Sequence, residues 1–438
     1  MNAFRALRAL VLFLLLAPFA AAQEATLESR AREVQALLCA EPRIAPDLLD
    51  ESFLKVVPAE QMQATAKQLF GELGAIRELR LSRKQGAWAA NYTAVLEKGF
   101  TMPVTLTLDA KAPHSIVGLW FGPPVPLVQD LAGIVEALRK LRGKVSFGVW
   151  RLGEKLEPLV ELESDTPLAL GSAFKLYVLG ALVQAVLDGR TKPESCMPLQ
   201  ARLASLASGR LQSWPAGTPM TALALACAMI SESDNTATDH LLSLVGRDRV
   251  EAQLAVMGNE HAAKSLPFLS TAEMFRLKLG QDGALADAYA KLDEGARREF
   301  LARELDPAQL PIASLEVPAA SWSKPRHVDD IEWFASAHDL ARALEWLRRA
   351  TEDPRTRLLR EVLAINPGLP VDKQEFPFVG FKGGSEPGVL DLTYLLQHES
   401  GAWYALSATW NDTRRKLDDE KLTGLVARAI ELLGAAAK

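Results

Sequence analysis

The chain has 438 residues, of which 49% are hydrophobic and 24% charged, enough to bury a large core and to divide into two domains. Its formal net charge of −5 argues against a nucleic-acid partner, because phosphate binding depends on clustered Lys and Arg. The basic groups Arg348 with Arg349 and Arg414 to Lys416 read as solvated faces, and the scattered histidines and cysteines lack metal-ligand spacing, so neither a metal nor another cofactor is expected.

Residues 1–22 carry Arg5 and Arg8, an apolar run from Ala9 to Ala17, and Phe19-Ala20-Ala21-Ala22 before Gln23. Basic, apolar and small-residue segments in that order predict a secretory signal cut after Ala22, and therefore export to the periplasm or beyond. Pro18 interrupts the apolar run short of the roughly 18 to 20 residues that a spanning helix needs. Removing Arg5 and Arg8 takes the formal charge from −5 to −7. No cysteine near the cut could take a lipid and no later run is long enough to span a bilayer, so no stable membrane insertion is expected after cleavage.

Residues 23–125 begin with helical periodicity, first through Leu27, Val34, Leu37 and Leu38, then through Met62, Ala66, Leu69, Phe70 and Leu73 to Gly74. Strand-like stretches follow at Leu79 to Leu81, Ala87 to Leu96, Met102 to Leu108 and Ser115 to Phe121. Helices followed by antiparallel strands predict a small α+β domain. Gly122-Pro123-Pro124-Val125-Pro126 reads as a linker, since its prolines block helix and sheet alike.

Residues 130–438 predict an α/β domain. A helix at Leu131 to Leu141 precedes a strand pair, Val145 to Arg151 and Leu159 to Leu162, and a long helix starts at Ser172. Helix then dominates to about residue 365, including Trp333 to Leu347. Strands return at Phe376 to Lys382, Asp391 to His398 and Trp403 to Trp410, and Asp418 to Ala436 is an amphipathic closing helix. Strands from both ends must pair around the helical insert, giving an antiparallel sheet flanked by helices plus a helical lobe, with a cleft between them. Of the three cysteines, only Cys196 and Cys227 share a domain, and Cys227 sits in an Ala-rich apolar run where a thiol serves most simply as a small core residue.

Three Ser-x-x-Lys patterns occur, Ser52 to Lys55, Ser172 to Lys175 and Ser321 to Lys324, so context must choose among them. Only Ser172 follows a strand pair and Gly171 and opens an apolar-striped helix through Leu176, Leu179, Leu182, Val183 and Val186. Three residues apart on a helix, the hydroxyl and the amine share one face, where the amine can take the hydroxyl proton. A second motif, Ser233-Asp234-Asn235, offers a hydroxyl and a carboxamide in a turn that also suits a helix cap. A third, Gly380-Phe381-Lys382-Gly383-Gly384-Ser385, puts a lysine at a strand end before glycines that permit close backbone approach, or that simply turn a hairpin.

Together, in this order, the three motifs resemble the active-site serine enzymes that include class A β-lactamases and penicillin-binding proteins, marked by S-x-x-K, S-D-N and K-T-G. The resemblance covers about residues 130 to 436 and implies Ser172 as the acylated nucleophile and Lys175 as its base. It further implies that Ser233 relays a proton, that Asn235 holds a substrate amide, and that Lys382 supplies positive charge. The N–H groups of Ser172 and Ser385 would form the oxyanion hole, and Gly384 would line the substrate-binding strand. Asp234 would hold the loop. The stretch Gly383-Gly384-Ser385-Glu386-Pro387-Gly388 and the α+β leader look like a narrower group, serine hydrolases with a steroid-isomerase-like N-terminal domain, such as the one encoded with clavulanic acid biosynthesis. That group implies ester as well as β-lactam substrates.

Two departures matter. Gly383 stands where the family has a hydroxyl, so one donor to a substrate carboxylate is missing. The segment from Ser233 to Lys382 is roughly 45 residues longer than in class A enzymes and contains no Glu followed four residues later by Asn, the pair that places their deacylating water. Glu316 is the nearest placed acid, and without it Lys175 alone is left to assist deacylation, which predicts slow β-lactam turnover. The pattern fits a serine hydrolase of β-lactams or small esters, a peptidoglycan DD-peptidase, or a non-catalytic acylated sensor. Ser-Asp-Asn in this setting and the lack of an anchor disfavour the second, and the presence of Lys175 and Lys382 disfavours the third.

Overall fold

The computed structural model describes residues 26–206, 208–305 and 323–436; the leader, Glu316 and Ser321 lie outside them. The chain divides into two compact units, Met1–Gln129 and Asp130–Lys438.

In the first unit, helix α1 (26–37) precedes α2 (Glu51–Val56) and α3 (Ala59–Leu73), then strands β1 (Ile76–Lys84), β2 (Ala89–Leu96), β3 (Phe100–Leu108), β4 (Ile116–Phe121) and the short β5 (Val125–Pro126). The strands form an antiparallel sheet in the order β1-β2-β3-β4, with β5 on β3. The 3.6-residue stripe of α1 is buried at Leu27, Val34, Leu37 and Leu38, against Met62 and Ala66 of α3 and the inward positions of β3, Met102, Val104 and Leu106. Two readings change. Helix α2 was not predicted; Asp50 caps it by accepting from the Ser52 N–H, and its Phe53 enters the core. Val125 and Pro126 pair with Phe100 and Thr101 rather than standing free as a linker, because an edge strand tolerates a proline that cannot donate.

The second unit contains α4 (Leu131–Leu138), β6 (Lys144–Leu152), β7 (Glu157–Leu162), β8 (Leu168–Ala169), α5 (Lys175–Leu187), β9 (Cys196–Pro198), β10 (Pro219–Thr221), α6 (Ala222–Ser231), α7 (Asn235–Val245), α8 (Arg247–Val256), α9 (Thr271–Leu279), α10 (Ala284–Tyr289) and α11 (Glu294–Glu304). It continues through β11 (Phe334–Ala335), α12 (Ala337–Ala350), α13 (Arg357–Glu361), β12 (Phe378–Glu386), β13 (Val389–Gln397), β14 (Trp403–Asn411) and α14 (Asp419–Ala436). The main sheet runs β12-β13-β14-β6-β7, all antiparallel, so strands from both ends of the unit close around the helical insert. Strands β13 and β14 are buried almost throughout, as strands covered on both faces must be. Helices α4 and α14 pack together and on the sheet, and α12 packs on β14 and β6. Helix α5 is the axis of the helical lobe, with Leu176, Leu179, Leu182 and Val183 fully buried.

Several boundaries differ from the pattern read along the chain; helix α4 ends at Leu138 rather than Leu141. Helix α5 begins at Lys175, because Gly171–Phe174 forms a 3₁₀ turn before it. Helix α12 starts at Ala337, not Trp333, since Ser336 and Asp339 make a capping box there and Phe334–Ala335 pairs with β8. Strand β12 runs on through Gly383, Gly384 and Ser385 to Glu386, paired with Val389 to Leu392 of β13, so the glycines are inside a strand and the turn comes after them. All three cysteines are free thiols, with Cys196 exposed and Cys227 half-buried. Among the described residues no helix is long and apolar enough to cross a membrane, and no cluster of His, Cys, Asp and Glu is placed to hold a metal.

Candidate active site

Ser172, Lys175, Ser233, Asn235 and Lys382 converge from three separate elements. Ser172 lies half-buried in the 3₁₀ turn that leads into α5, and Lys175 opens the helix with its side chain fully buried. The Lys175 ammonium nitrogen lies 2.7 Å from the Ser233 carbonyl, 3.1 Å from Ser233 Oγ and 2.7 Å from Asn235 Oδ1. Lys382 Nζ, from β12, lies 3.1 Å from the same Ser233 Oγ and 2.6 Å from the Gly383 carbonyl. One hydroxyl thus bridges two buried amines. No hydrogen bond joins Lys175 to Ser172 Oγ in this arrangement, as is common in free enzymes whose catalytic contacts tighten with substrate.

Ser233 sits at φ +55°, a conformation that L residues with side chains rarely adopt. The surrounding bonds hold it there. Asp234 caps α7 by accepting from the Ala237 N–H and also accepts from the Arg210 and Leu211 N–H groups, tying the 209–211 loop to the helix start. Asn235 points its amide nitrogen at the Leu206 carbonyl, 3.0 Å away, which leaves its oxygen for Lys175. Behind it, Asp239 accepts from Thr271 N and Oγ1 and from Ala272 N, fastening the start of α9 to α7.

Burial dominates the electrostatics. It holds the Lys175 pKa well below the usual lysine range, reinforced by the Lys382 charge and opposed by Asp239 and Asp234, a shift that favours the neutral amine. Burial likewise brings Lys382 down to about 7, against the pull of Asp391. Asp391, on β13 beside β12, is itself raised to about 7 by burial while accepting from Thr393 and Thr409 hydroxyls.

The backbone of β12 abuts the nucleophile. A Cβ at Gly384 would collide with the Leu170 carbonyl and lie 2.5 Å from the Ser172 N–H and 2.7 Å from that of Ala173, so only glycine lets the strand approach. A Cβ at Gly171 would likewise stand 3.0 Å from the Ser385 nitrogen, so the strand backbone meets the nucleophile's turn where the Ser172 and Ser385 N–H groups are the expected oxyanion donors. Gly384→Ala is expected to lower stability by about 1–3 kcal/mol through overpacking and to slow covalent labelling at least about 100-fold by separating the two donors; thermal melts and labelling kinetics check both. Gly383 is also explained by packing: a Cβ there would stand 2.7 Å from the Phe381 ring and 2.9 Å from the Asp391 carbonyl.

A cavity of about 260 Å³ opens on Ser172, lined by Gly171, Asn235, Thr271 and Ser385 and by apolar walls from Phe174, Leu206, Met274, Phe275, Leu279 and Trp333. The Trp333 ring stacks on Phe174 at 3.7 Å between centroids and donates to the Leu269 carbonyl, which fixes that wall. Glu386 also lines it, and motif reading along the chain did not single this residue out. Its only signal was an acid two residues past Gly384 on a strand pattern of period two.

Residues 126–431 match the Beta-lactamase enzyme family, the greater part of the chain. The chain belongs to the beta-lactamase enzyme family. No curated protein matches it. Among solved structures it is similar to the beta-lactamase from Sphaerobacter thermophilus, at 20% identity over 70% of this chain and 96% of that one, with a TM-score of 0.48. A beta-lactamase from Chitinophaga pinensis shares 16% identity over 70% of this chain and 98% of its own, with a TM-score of 0.48. PBP-A shares 16% identity over 71% and 99% respectively, with a TM-score of 0.47. The family is one of serine hydrolases acting on small molecules, and the convergence of Ser172, Lys175, Ser233 and Lys382 agrees with that assignment.

Proposed function

We propose that this member of the beta-lactamase family hydrolyses small neutral esters through an acyl-enzyme on Ser172 and turns β-lactams over more slowly. The observation that carries the reading is the bridging Ser233 hydroxyl, 3.1 Å from both Lys175 and Lys382, beside a nucleophile whose N–H is abutted by Gly384. Neutral Lys175 takes the Ser172 proton, Oγ attacks the substrate carbonyl, and the oxyanion rests between the Ser172 and Ser385 N–H groups. Ser233 gives its proton to the leaving alcohol as the bond to carbon breaks and takes the proton held by Lys175 in its place, with Lys382 and Asn235 orienting the substrate.

The substrate preference rests on two features. No side chain fits at Gly383, so a substrate carboxylate loses a hydroxyl donor, and the apolar walls of the 260 Å³ cavity suit a compact uncharged acyl group. Losing one hydrogen bond to a charged group costs about 1.5–3 kcal/mol, or roughly 10- to 100-fold. The kcat/KM for a p-nitrophenyl ester is therefore expected to exceed that for a penicillin by roughly that factor, with intact mass showing the adduct on Ser172. The reverse ratio would remove the ester preference. Release of D-alanine from a peptidoglycan peptide would favour the DD-peptidase reading, and a penicillin adduct that never turns over the sensor reading. The pattern in residues 1–22 supports export, and the helices followed by the β1-β2-β3-β4 sheet support the likeness of the N-terminal unit to steroid-isomerase-like domains.

A further inference from the structure

Three buried charged residues that take no part in proton transfer to or from Ser172 tie the walls of the cavity together. Lys278 Nζ donates to Glu332 Oε1 at 2.5 Å and to Glu386 Oε1 at 2.7 Å. The Lys278 and Glu332 side chains are fully buried and that of Glu386 is 5% exposed. Each is the chain neighbour of a residue that lines the cavity: Lys278 precedes Leu279 at the end of α9, Glu332 precedes Trp333, and Glu386 follows Ser385 on β12. One ammonium thus joins the α9 wall and the Trp333 wall to the strand whose backbone meets the turn of Ser172.

Two carboxyls share this one ammonium. With both ionised, the cluster would hold a buried negative charge without a partner, and two like charges at one site favour keeping a proton on one of them. Hydrogen bonding points the same way. Glu386 Oε2 is buried and has no donor among the described residues, yet its carboxyl lies within hydrogen-bonding reach of that of Glu332. Carboxylates only accept, so a proton on one of the pair is what joins them. Burial, then the Glu332 charge, push Glu386 well above the ordinary carboxylate range against the pull of Lys278. Burial acts to lower the Lys278 pKa, but Glu332 and Glu386 outweigh it and keep the ammonium charged. The other charged groups facing the cluster are Arg326, which donates to the Lys278 carbonyl at 3.3 Å, and His327, which pairs with Asp330 and with Asp287 of α10.

We propose that Lys278 is a positioning residue for acylation, an inference that rests on the acyl-enzyme reading above: holding Glu332 and Glu386 with one proton between them, it fixes the strand that carries the Ser385 N–H against the α9 and Trp333 walls of the cavity. With that proton the cluster is neutral, and it acts through its chain neighbours Leu279, Trp333 and Ser385. The leverage is geometric, since a misplacement of about 1 Å in a group that serves the transition state costs roughly 100-fold in rate.

The test uses the full-length protein, a p-nitrophenyl ester, stopped-flow absorbance, intact mass and thermal melts. In Lys278→Met, the burst rate at saturating ester is expected to fall roughly 100-fold, while the ester concentration giving half that rate changes less than about 3-fold. Lys278→Met with Glu332→Gln keeps a single carboxyl that can take the proton and so leaves no lone buried charge; it is expected to show the same loss and decides the matter should the single variant not fold. Glu332→Gln alone keeps Lys278, sets an amide N–H where the shared proton lay, and is expected to change the burst rate less than about 3-fold. The melts read the proton itself. A glutamate whose folded-state pKa is raised stabilises the fold fully below its unfolded value of about 4.3, and that stability is lost as pH rises through the folded value. Wild type should therefore lose stability with rising pH more steeply than Glu332→Gln by the equivalent of one bound proton, His327 contributing to both alike. A folded Lys278→Met protein with the wild-type burst rate, or one that loses rate and ester affinity equally, would overturn the positioning role, and parallel pH slopes would overturn the shared proton. A wild-type protein that hydrolyses the ester with no burst and no mass adduct would instead remove the acyl-enzyme reading and the positioning role with it, the melts still deciding the proton.

Discussion

Ser172→Ala is expected to abolish covalent labelling by p-nitrophenyl esters and by a fluorescent penicillin, and to lower ester hydrolysis roughly 10⁴-fold or more. The expectation follows from chemistry that no neighbour can replace. Lys175 would form an amide that does not turn over, and Ser233 is held at φ +55° with its hydroxyl between two lysines. The side chain lost is small and half-buried, so the melting temperature should change little. Ser52→Ala is the control. Ser52 is exposed on α2 with its hydroxyl on Asp50, so it has the Ser-x-x-Lys spacing and nothing else. Labelling of the Ser172→Ala protein at the wild-type rate would place the nucleophile elsewhere.

Lys175→Met is expected to slow acylation roughly 10²- to 10⁴-fold, the usual worth of a positioned general base, while leaving a side chain of similar length in the buried slot. The pH profile separates this role from mere packing. The folded-state pKa of Lys175 is depressed, chiefly by burial and then by the Lys382 charge. Acylation should accordingly be flat at high pH and fall as pH drops through that depressed value, because the amine gains the proton it must accept. Lys382→Met removes the positive neighbour and so raises the Lys175 pKa, which moves the acid limb of the wild-type profile to higher pH. A profile unmoved by Lys382→Met would break the electrostatic link between the two amines. Burst amplitudes measured across pH, with a melt at each value, read both effects.

The residues proposed to carry acylation are legible along the chain because each sits in a short motif whose geometry is local. Ser172 and Lys175 share a face over one helical turn, Asp234 caps the helix that Asn235 begins, and Lys382, Gly384 and Ser385 follow one another along a strand. The helical stripe of α1 and the period-two strands of both units were legible for the same reason, since a buried face imposes its repeat on neighbouring positions. Some local signals are masked by their neighbours. Ser336 with Asp339 announces the start of α12, and counting Trp333 and Phe334 into the helical repeat hid it.

What the chain by itself determined is therefore the class of fold and the motifs from which the nucleophile and its amine are proposed. Tertiary structure decided the rest. Whether Gly383 and Gly384 turn or extend depends on a partner strand, and β13 supplies one. The loss of a hydroxyl at Gly383 has its cause in the Phe381 ring and the Asp391 carbonyl. Lys278, Glu332 and Glu386 are each an ordinary charged residue in the sequence, 54 and 108 positions apart. Only packing takes the three from water together, because a charge taken out of water is tolerated in the core only against its counter-charge.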